Sequence, residues 1–129
     1  MRILLYLKSK DFTYGGPAYV CQSTKSFFIK YKLVNNFQIE IKDDNDYKNL
    51  TRKALEKEIS NYDIVSIHGI WSFKNSLLAK TCRKMFIPYT ISLHGMLDPW
   101  SWKKNLFFKF LFYLFYLRKD FKYSSSLHC

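Results

Sequence analysis

Several familiar motifs are missing from this chain, and each absence removes a class of function. Its three cysteines, Cys21, Cys82 and Cys129, lie far apart and form no Cys-x-x-Cys pair. Structural disulfides and a zinc knuckle are therefore not expected, and a reducing cytosol fits better. There is no Gly-x-Gly-x-x-Gly dinucleotide fingerprint and no Gly-x-Ser-x-Gly nucleophile elbow. The N-terminus offers only Ile3–Leu7 between Arg2 and Lys8, too short for a signal-peptide core. The longest aromatic run, Leu106–Leu117, falls short of the roughly 20 apolar residues that cross a bilayer. Acidic residues are scarce, 10 against 21 lysines and arginines, for a formal charge of +11. Two readings of that charge stand side by side: an anionic partner, or the Lys-, Asn-, Ile-, Phe- and Tyr-rich output of an AT-rich coding sequence.

What is present is one domain's worth of chain, 129 residues of which 48% are apolar, enough for a packed core. Residues 2–8 read as a buried first strand. Pro17 suits the first turn of a helix, and Val20, Thr24, Phe27, Phe28 and Tyr31 recur at helical spacing as far as Asn35-Asn36. Phe37, Ile39 and Ile41 alternate as a less buried second strand. Residues 47–60 form an amphipathic helix through Leu50, Ala54, Leu55 and Ile59. Ile64–Ile67 is the third strand. Leu77, Leu78, Thr81, Cys82 and Met85 mark a helix that Pro88 stops, and Tyr89–Leu93 is the fourth strand. A long apolar helix covers about residues 103–121, and Ser124–Cys129 begins a fifth strand. Strand and helix alternate throughout, which predicts an α/β fold: a doubly wound parallel sheet with helices on both faces.

The chemistry-bearing pattern occurs twice. DIVSIHGIW ends an apolar run at His68-Gly69, and YTISLHGMLDPWSW ends another at His94-Gly95. A strand stopping at a His-Gly corner puts an imidazole and bare backbone at one edge of a sheet, where open α/β sheets bind ligands. Gly15-Gly16, before the first helix, could let a phosphate approach the backbone, but taken alone the pair reads first as an ordinary tight turn. Neither histidine has the neighbours of a metal site, so no metal and no cofactor is expected. Asp43-Asp44-Asn45-Asp46 contains Asp-x-Asp after a strand; with no Gly or terminal Glu to complete a calcium loop it reads as a solvated acidic turn.

The run from Asp63 to Asn105, with IHGIWS and IPYTISLHGMLDPW as its most specific parts, resembles the N-terminal domain of family 4 glycosyltransferases. These are retaining GT-B sugar transferases of bacterial surface polysaccharides. The closing SSSLHC and the Gly15-Gly16-Pro17 turn fit the same family, and the resemblance is weakest over residues 30–60. It implies that residues 1–129 are a truncated Rossmann-like, acceptor-side domain, an incomplete GT-B half without its C-terminal donor-binding domain. It implies that His94 reaches the transferred sugar, with Gly95 allowing close approach. Gly15 and Gly16 would lie near donor phosphate or acceptor, and His68, Gly69 and Trp71 on the acceptor side. Asp98 and Trp100 would shape that loop, or Asp98 would cap or brace it. Relatives often carry a histidine where this chain has Ser66. The family's Arg/Lys phosphate clamp and paired glutamates have no counterpart: Glu40, Glu56 and Glu58 sit in the wrong region. The implied partners are a nucleotide-sugar and a glycan or lipid-linked acceptor, once a second domain completes the cleft, with little turnover by this half alone.

The aromatic helix LFFKFLFYLFYL has two readings. In one it lies in an anionic membrane interface through Lys103, Lys104, Phe107, Phe108 and Lys109, making the chain peripheral on the inner face of the plasma membrane. In the other, one face packs on the sheet and the other meets a missing part of the protein. A non-catalytic basic membrane-surface module is thus the alternative function. Nucleic acid is not an expected partner, since no helix combines base-reading polar residues with a basic face.

Overall fold

The computed structural model describes residues 1–31, 36–103 and 105–128. Asn35, Lys104 and Cys129, which enter the expectations above, lie outside the described residues. Five strands, β1 (Arg2–Leu7), β2 (Gln38–Asp43), β3 (Ile64–His68), β4 (Tyr89–Ser92) and β5 (Ser126–His128), form one sheet in the order β2-β1-β3-β4-β5. Every neighbouring pair is parallel. The chain is α/β and Rossmann-like, as the alternation predicts. From β1 the chain steps outward to β2, then returns over β1 to β3 and continues the other way. The winding therefore reverses between β1 and β3, the place where such sheets open a crevice at their carboxyl edge.

Residue alternation decides what each face carries. Leu5 and Leu7 of β1, with Ile3, Ile39 and Ile41, meet Ala18 and Cys21 of α1 (Gly16–Lys30). On the opposite face Leu4, Tyr6, Val65, Ile67, Tyr89 and Ile91 pack under α2 (Arg52–Ile59), α3 (Phe73–Lys84) and the last helix, with Leu117 buried. β1 is covered on both sides, which is why its sequence runs apolar without interruption. The α1 face is uneven. The register sets Ser66 beside Leu5 and Thr90, and His68 beside Leu7 and Ser92, with Ser126 and His128 next in line. One half of that face is aliphatic and the other is hydroxyl and imidazole.

Several expected details change. The core face of α1 is Ala18 and Cys21, not the aromatic stripe: Val20, Phe27 and Tyr31 are exposed. The strip beneath α1 already carries leucine and isoleucine, so close packing takes small residues there. Phe27 and Tyr31 pack on each other instead, 4.5 Å apart. α2 starts only at Arg52, where the Thr51 hydroxyl caps it by accepting from Ala54 N at 3.3 Å. Leu50 and Leu77 are exposed rather than on the core faces of their helices.

The acidic turn is not solvated at its first residue. Asp43 is buried; its Oδ1 accepts from Asn45 N and Asp46 N, and its Oδ2 from Lys10 N. It is a self-bonding turn that ties the end of β2 to the loop after β1.

The predicted continuous helix is interrupted. α4 (Pro99–Lys103) ends before Asn105, whose φ of 58° is left-handed. α5 (Leu106–Phe112) then passes through a wide π turn, Tyr113–Leu117, into α6 (Arg118–Tyr123). The buried Asp120 fastens this helix: Arg83 reaches its Oδ1 at 2.7 Å, Ser76 Oγ donates to Oδ2, and Tyr89 OH donates to its carbonyl at 2.7 Å. A buried carboxylate paired and bonded on each oxygen is tolerable; unpaired it would not be. Among the described residues no helix is long and apolar enough to cross a membrane.

Candidate functional site

The carboxyl edge of β3 and β4 carries the two His-Gly corners, His68-Gly69 and His94-Gly95. β3 runs extended through His68 and turns at Gly69, φ 99°. Gly69 N donates to Ser92 O at 2.8 Å, and Asn75 Nδ2 donates to Gly69 O at 2.7 Å, so the corner is held from both sides. β4 ends two residues earlier relative to its histidine. Leu93 N donates to His128 O at 2.8 Å, and His94 and Gly95 then take φ of 48° and 70°. Met96 N closes on Leu93 O at 3.0 Å and Asp98 N on Gly95 O at 3.1 Å. A non-glycine residue in the left-handed region costs about 1 kcal/mol or more. The two interlocked turns hold His94 there and swing its ring back towards β3.

The two rings meet. His68 Nδ1 and His94 Nε2 are 2.8 Å apart, with the ring planes within 25°. Behind them, His68 Nε2 lies 3.2 Å from Ser66 Oγ, and Thr90 Oγ1 donates to Ser66 Oγ at 3.1 Å. His68 is only 7% exposed and His94 half-buried, so His94 is the ring that faces outward. Burial pushes the His68 imidazole down to about 4, helped by the nearness of His94 and then His128. Burial, then His128, also lowers His94. Neutral imidazoles act here by hydrogen bonding and polarity rather than by charge.

Gly69 is buried between Asn75 and Met96; a Cβ there would lie 3.2 Å from Met96 Cε. At Gly95 a Cβ would meet Asp98 Oδ2 at 3.1 Å, so the Asp98 side chain folds over its own turn. Trp71 does not stand at the histidine pair. Its Nε1 donates to Met96 O at 3.2 Å, tying the two corner loops together, and Lys109 Nζ lies 5.1 Å over its ring. Gly15 and Gly16 are exposed at the start of α1, with open space where a Cβ would project. Gly15 needs its φ of 95° to turn from the short helical turn Phe12–Tyr14 into α1. Lys103, Phe107 and Phe108 are exposed, whereas Lys109 is half-buried against Trp71.

Sequence reasoning missed Ser66 and Thr90 as partners of the pair, and His128 as its neighbour. The signal was present for all three. Ser66 stands two residues before His68, hence on its face, and SSSLHC places Ser126 and His128 on one face by the same alternation. All three histidines of the chain therefore collect at one edge. Among the described residues no group of three His, Cys, Asp or Glu is placed to hold a metal ion. A separate open groove of about 730 Å³ lies beside the last helix, lined by Trp71, Phe73, Phe108, Phe112 and Phe115 with Lys8 and Lys74. It does not include either histidine of the pair, and its aromatic lining offers shape rather than reactive groups.

No protein-family model and no curated protein matches the chain. Among solved structures it is similar to the glutaminase domain of Trypanosoma brucei CTPS with bound acivicin, at 15% identity and a TM-score of 0.48. That likeness covers 74% of this chain and 38% of the other, and carries no argument about chemistry.

Proposed function

We propose that the chain is the acceptor-side half of a retaining glycosyltransferase of the GT-B kind. It would move a sugar from a nucleotide-sugar to a surface-polysaccharide or lipid-linked acceptor, in partnership with a donor-binding lobe. The observation that carries this reading is the contact between His68 and His94 at the carboxyl edge, beside the reversal of the sheet's winding. In this reading His94 is the catalytic-edge residue: it touches the sugar and orients it by hydrogen bonding. His68 backs His94 from within, and Gly69 and Gly95 let the chain turn away so that a ring-shaped ligand can approach. Gly15, Gly16 and Asp98 border the approach, and Trp71 fixes the two loops relative to each other.

The test is transfer of a labelled sugar by the chain mixed with a donor-binding lobe from a family 4 transferase, over a panel of nucleotide-sugars and acceptors. Transfer that His94→Ala reduces at least about 100-fold is the expected result. Loss of this reading would follow if no lobe supports transfer and no acceptor glycan perturbs the His94 resonances of the chain alone.

A second reading, a basic module that lies on anionic membranes without catalysis, is favoured by one observation. Phe107, Phe108 and Phe115 of the last helix are each about two-thirds exposed or more, near Lys103. It predicts salt-sensitive binding to anionic vesicles that Phe107→Ser with Phe108→Ser abolishes and His94→Ala leaves unchanged.

A further inference from the structure

The open groove beside the last helix has two unlike walls. One is the helix itself, which presents Phe108, Phe112 and Phe115. Phe73, the first residue of α3, packs on Phe112 and Tyr116 at 5.0 and 5.4 Å, and Ser76 bonds Asp120, so the two helices run the same way. The turn from Asn105 to Lys109 therefore stands beyond the start of α3, over the carboxyl edge of the sheet. The other wall is that edge. It brings Lys8 from the end of β1, Asp44 from the end of β2 and Lys74 from the start of α3. Lys109 closes the junction of the walls, with its Nζ over the Trp71 ring.

Phe73, Phe108 and Phe115 are each about two-thirds exposed or more, and all three line this one hollow. Apolar area collected in a hollow, with a few polar groups on one side, is the form of a ligand site. Its volume of about 730 Å³ suits a small molecule. The rings meet edge to face, Phe73 at 73° to Phe112 and at 89° to Tyr116. Such a wall is ridged, so a flexible chain can follow it while a flat base finds no slot to stack in. The charge of the edge wall is positive on balance: with Lys109, three ammonium groups stand against the Asp44 carboxylate. That carboxylate is already engaged, Oδ1 by the Tyr6 hydroxyl at 2.6 Å and Oδ2 by Lys74 at 3.7 Å. Lys8 is exposed and has no ion pair among the described residues.

We propose that this groove binds a single anionic amphiphile, its apolar chain along the aromatic wall and its anionic head at Lys8 and Lys74. A cationic head would meet like charge on that side. The head lies at the edge where the histidine corners also open, for Trp71, on the groove, donates to Met96 O in the His94 loop. The binding stands on the groove alone. It rests on the transferase reading only for the further step that makes the amphiphile the sugar acceptor. It also differs from lying on a membrane. A bilayer would engage Phe107, which is 69% exposed on the same helix but outside the groove, whereas one bound chain would not.

The experiment is calorimetric titration of the chain with decyl phosphate, kept below its micelle concentration, and with decyltrimethylammonium as the cationic control. Saturable binding of one phosphate per chain is expected, weakening as salt rises, with no comparable binding of the ammonium. Phe115→Ser is expected to weaken it about tenfold. Lys8→Glu should weaken it at least about threefold, and Phe107→Ser should leave it unchanged. All three positions are exposed, and circular dichroism checks that the variants fold. Absence of saturable binding by the monomeric phosphate overturns the proposal. So does equal binding of the ammonium, or a loss in Phe107→Ser that matches the loss in Phe115→Ser, the mark of a bilayer surface. Self-association that Phe115→Ser abolishes, without phosphate binding, overturns it in favour of a second copy. Phosphate binding with no sugar transfer sinks the transferase reading alone; transfer to a free glycan with no phosphate binding sinks the groove alone.

Discussion

His68-Gly69 and His94-Gly95 are the same dipeptide after the same kind of strand, yet they end in different states. His68 stays in the extended backbone of β3 and keeps its ring inside, 7% exposed. His94 is turned into the left-handed region at φ 48° and its ring is half-open. The strands explain the difference. β3 pairs through His68, opposite Leu7 and Ser92, so the ring must stand on the sheet face with Ser66. β4 stops at Ser92, and two tight turns then carry His94 over the edge. One imidazole becomes a support and the other a presented group. Identical motifs therefore do not imply equivalent roles; the ladder that each histidine does or does not join decides.

That difference is sharpest in its response to acid. The folded chain holds His68 neutral down to about 4, while in the unfolded chain the ring takes a proton near 6.5. Between those values the unfolded state binds the extra proton, so the stability that His68 contributes falls as pH drops from about 6.5 and its loss is complete below about 4. The loss approaches about 3 kcal/mol in full, and His94, shifted the same way, adds to it. Urea midpoints measured between pH 7 and pH 4 are expected to fall, and to fall much less in His68→Gln, which cannot titrate. Equal slopes in the two proteins would erase the distinction between the buried and the presented ring.

Truncation gives the next largest contrast. His68→Ala empties a packed position and strips partners from Ser66 and His94, for a cost of about 2 to 3 kcal/mol. His94→Ala removes a half-open ring, and water can reach the nitrogen it leaves, so about 1 kcal/mol is expected. Thermal unfolding of the two variants side by side checks the order. If His94→Ala proved the more damaging, His94 would be the structural member of the pair.

The order of strands and helices was legible because β1 and the two corner strands are short apolar runs bounded by turn residues. The packing face of α1 was not. Its aromatics recur at helical spacing, but the sheet beneath leaves room only for Ala18 and Cys21, a fact that belongs to β1 and β2 and not to α1. The two histidine corners were legible as a pair, since both strands end alike. The supporting role of Ser66 was obscured because a serine inside a strand carries no signal of its own. Only the register, which sets Thr90 beside it and His68 two residues along, turns it into a partner. Asp120 was hidden for a similar reason. In sequence it is one acid in a basic helix, and its value comes from Arg83, Ser76 and Tyr89, brought to it from α3 and β4.

The two glycines that follow the histidines give the smallest contrast. Each has positive φ, 99° at Gly69 and 70° at Gly95. A new Cβ would press on Met96 Cε at 3.2 Å in the first case and on Asp98 Oδ2 at 3.1 Å in the second. Both obstacles are the far ends of flexible side chains, so neither clash decides the cost. The backbone does. A φ of 70° lies near the left-handed well, which an alanine enters for about 1 kcal/mol. A φ of 99° lies well outside it, and Gly69 cannot relax, because Ser92 O and Asn75 Nδ2 hold its amide and carbonyl. Gly69→Ala is therefore expected to cost about 2 kcal/mol and Gly95→Ala about 1, read as urea midpoints at neutral pH. The reverse order would mean that the His94 corner, and not the His68 corner, is the rigid one, and that the presented ring is held more tightly than the ring behind it.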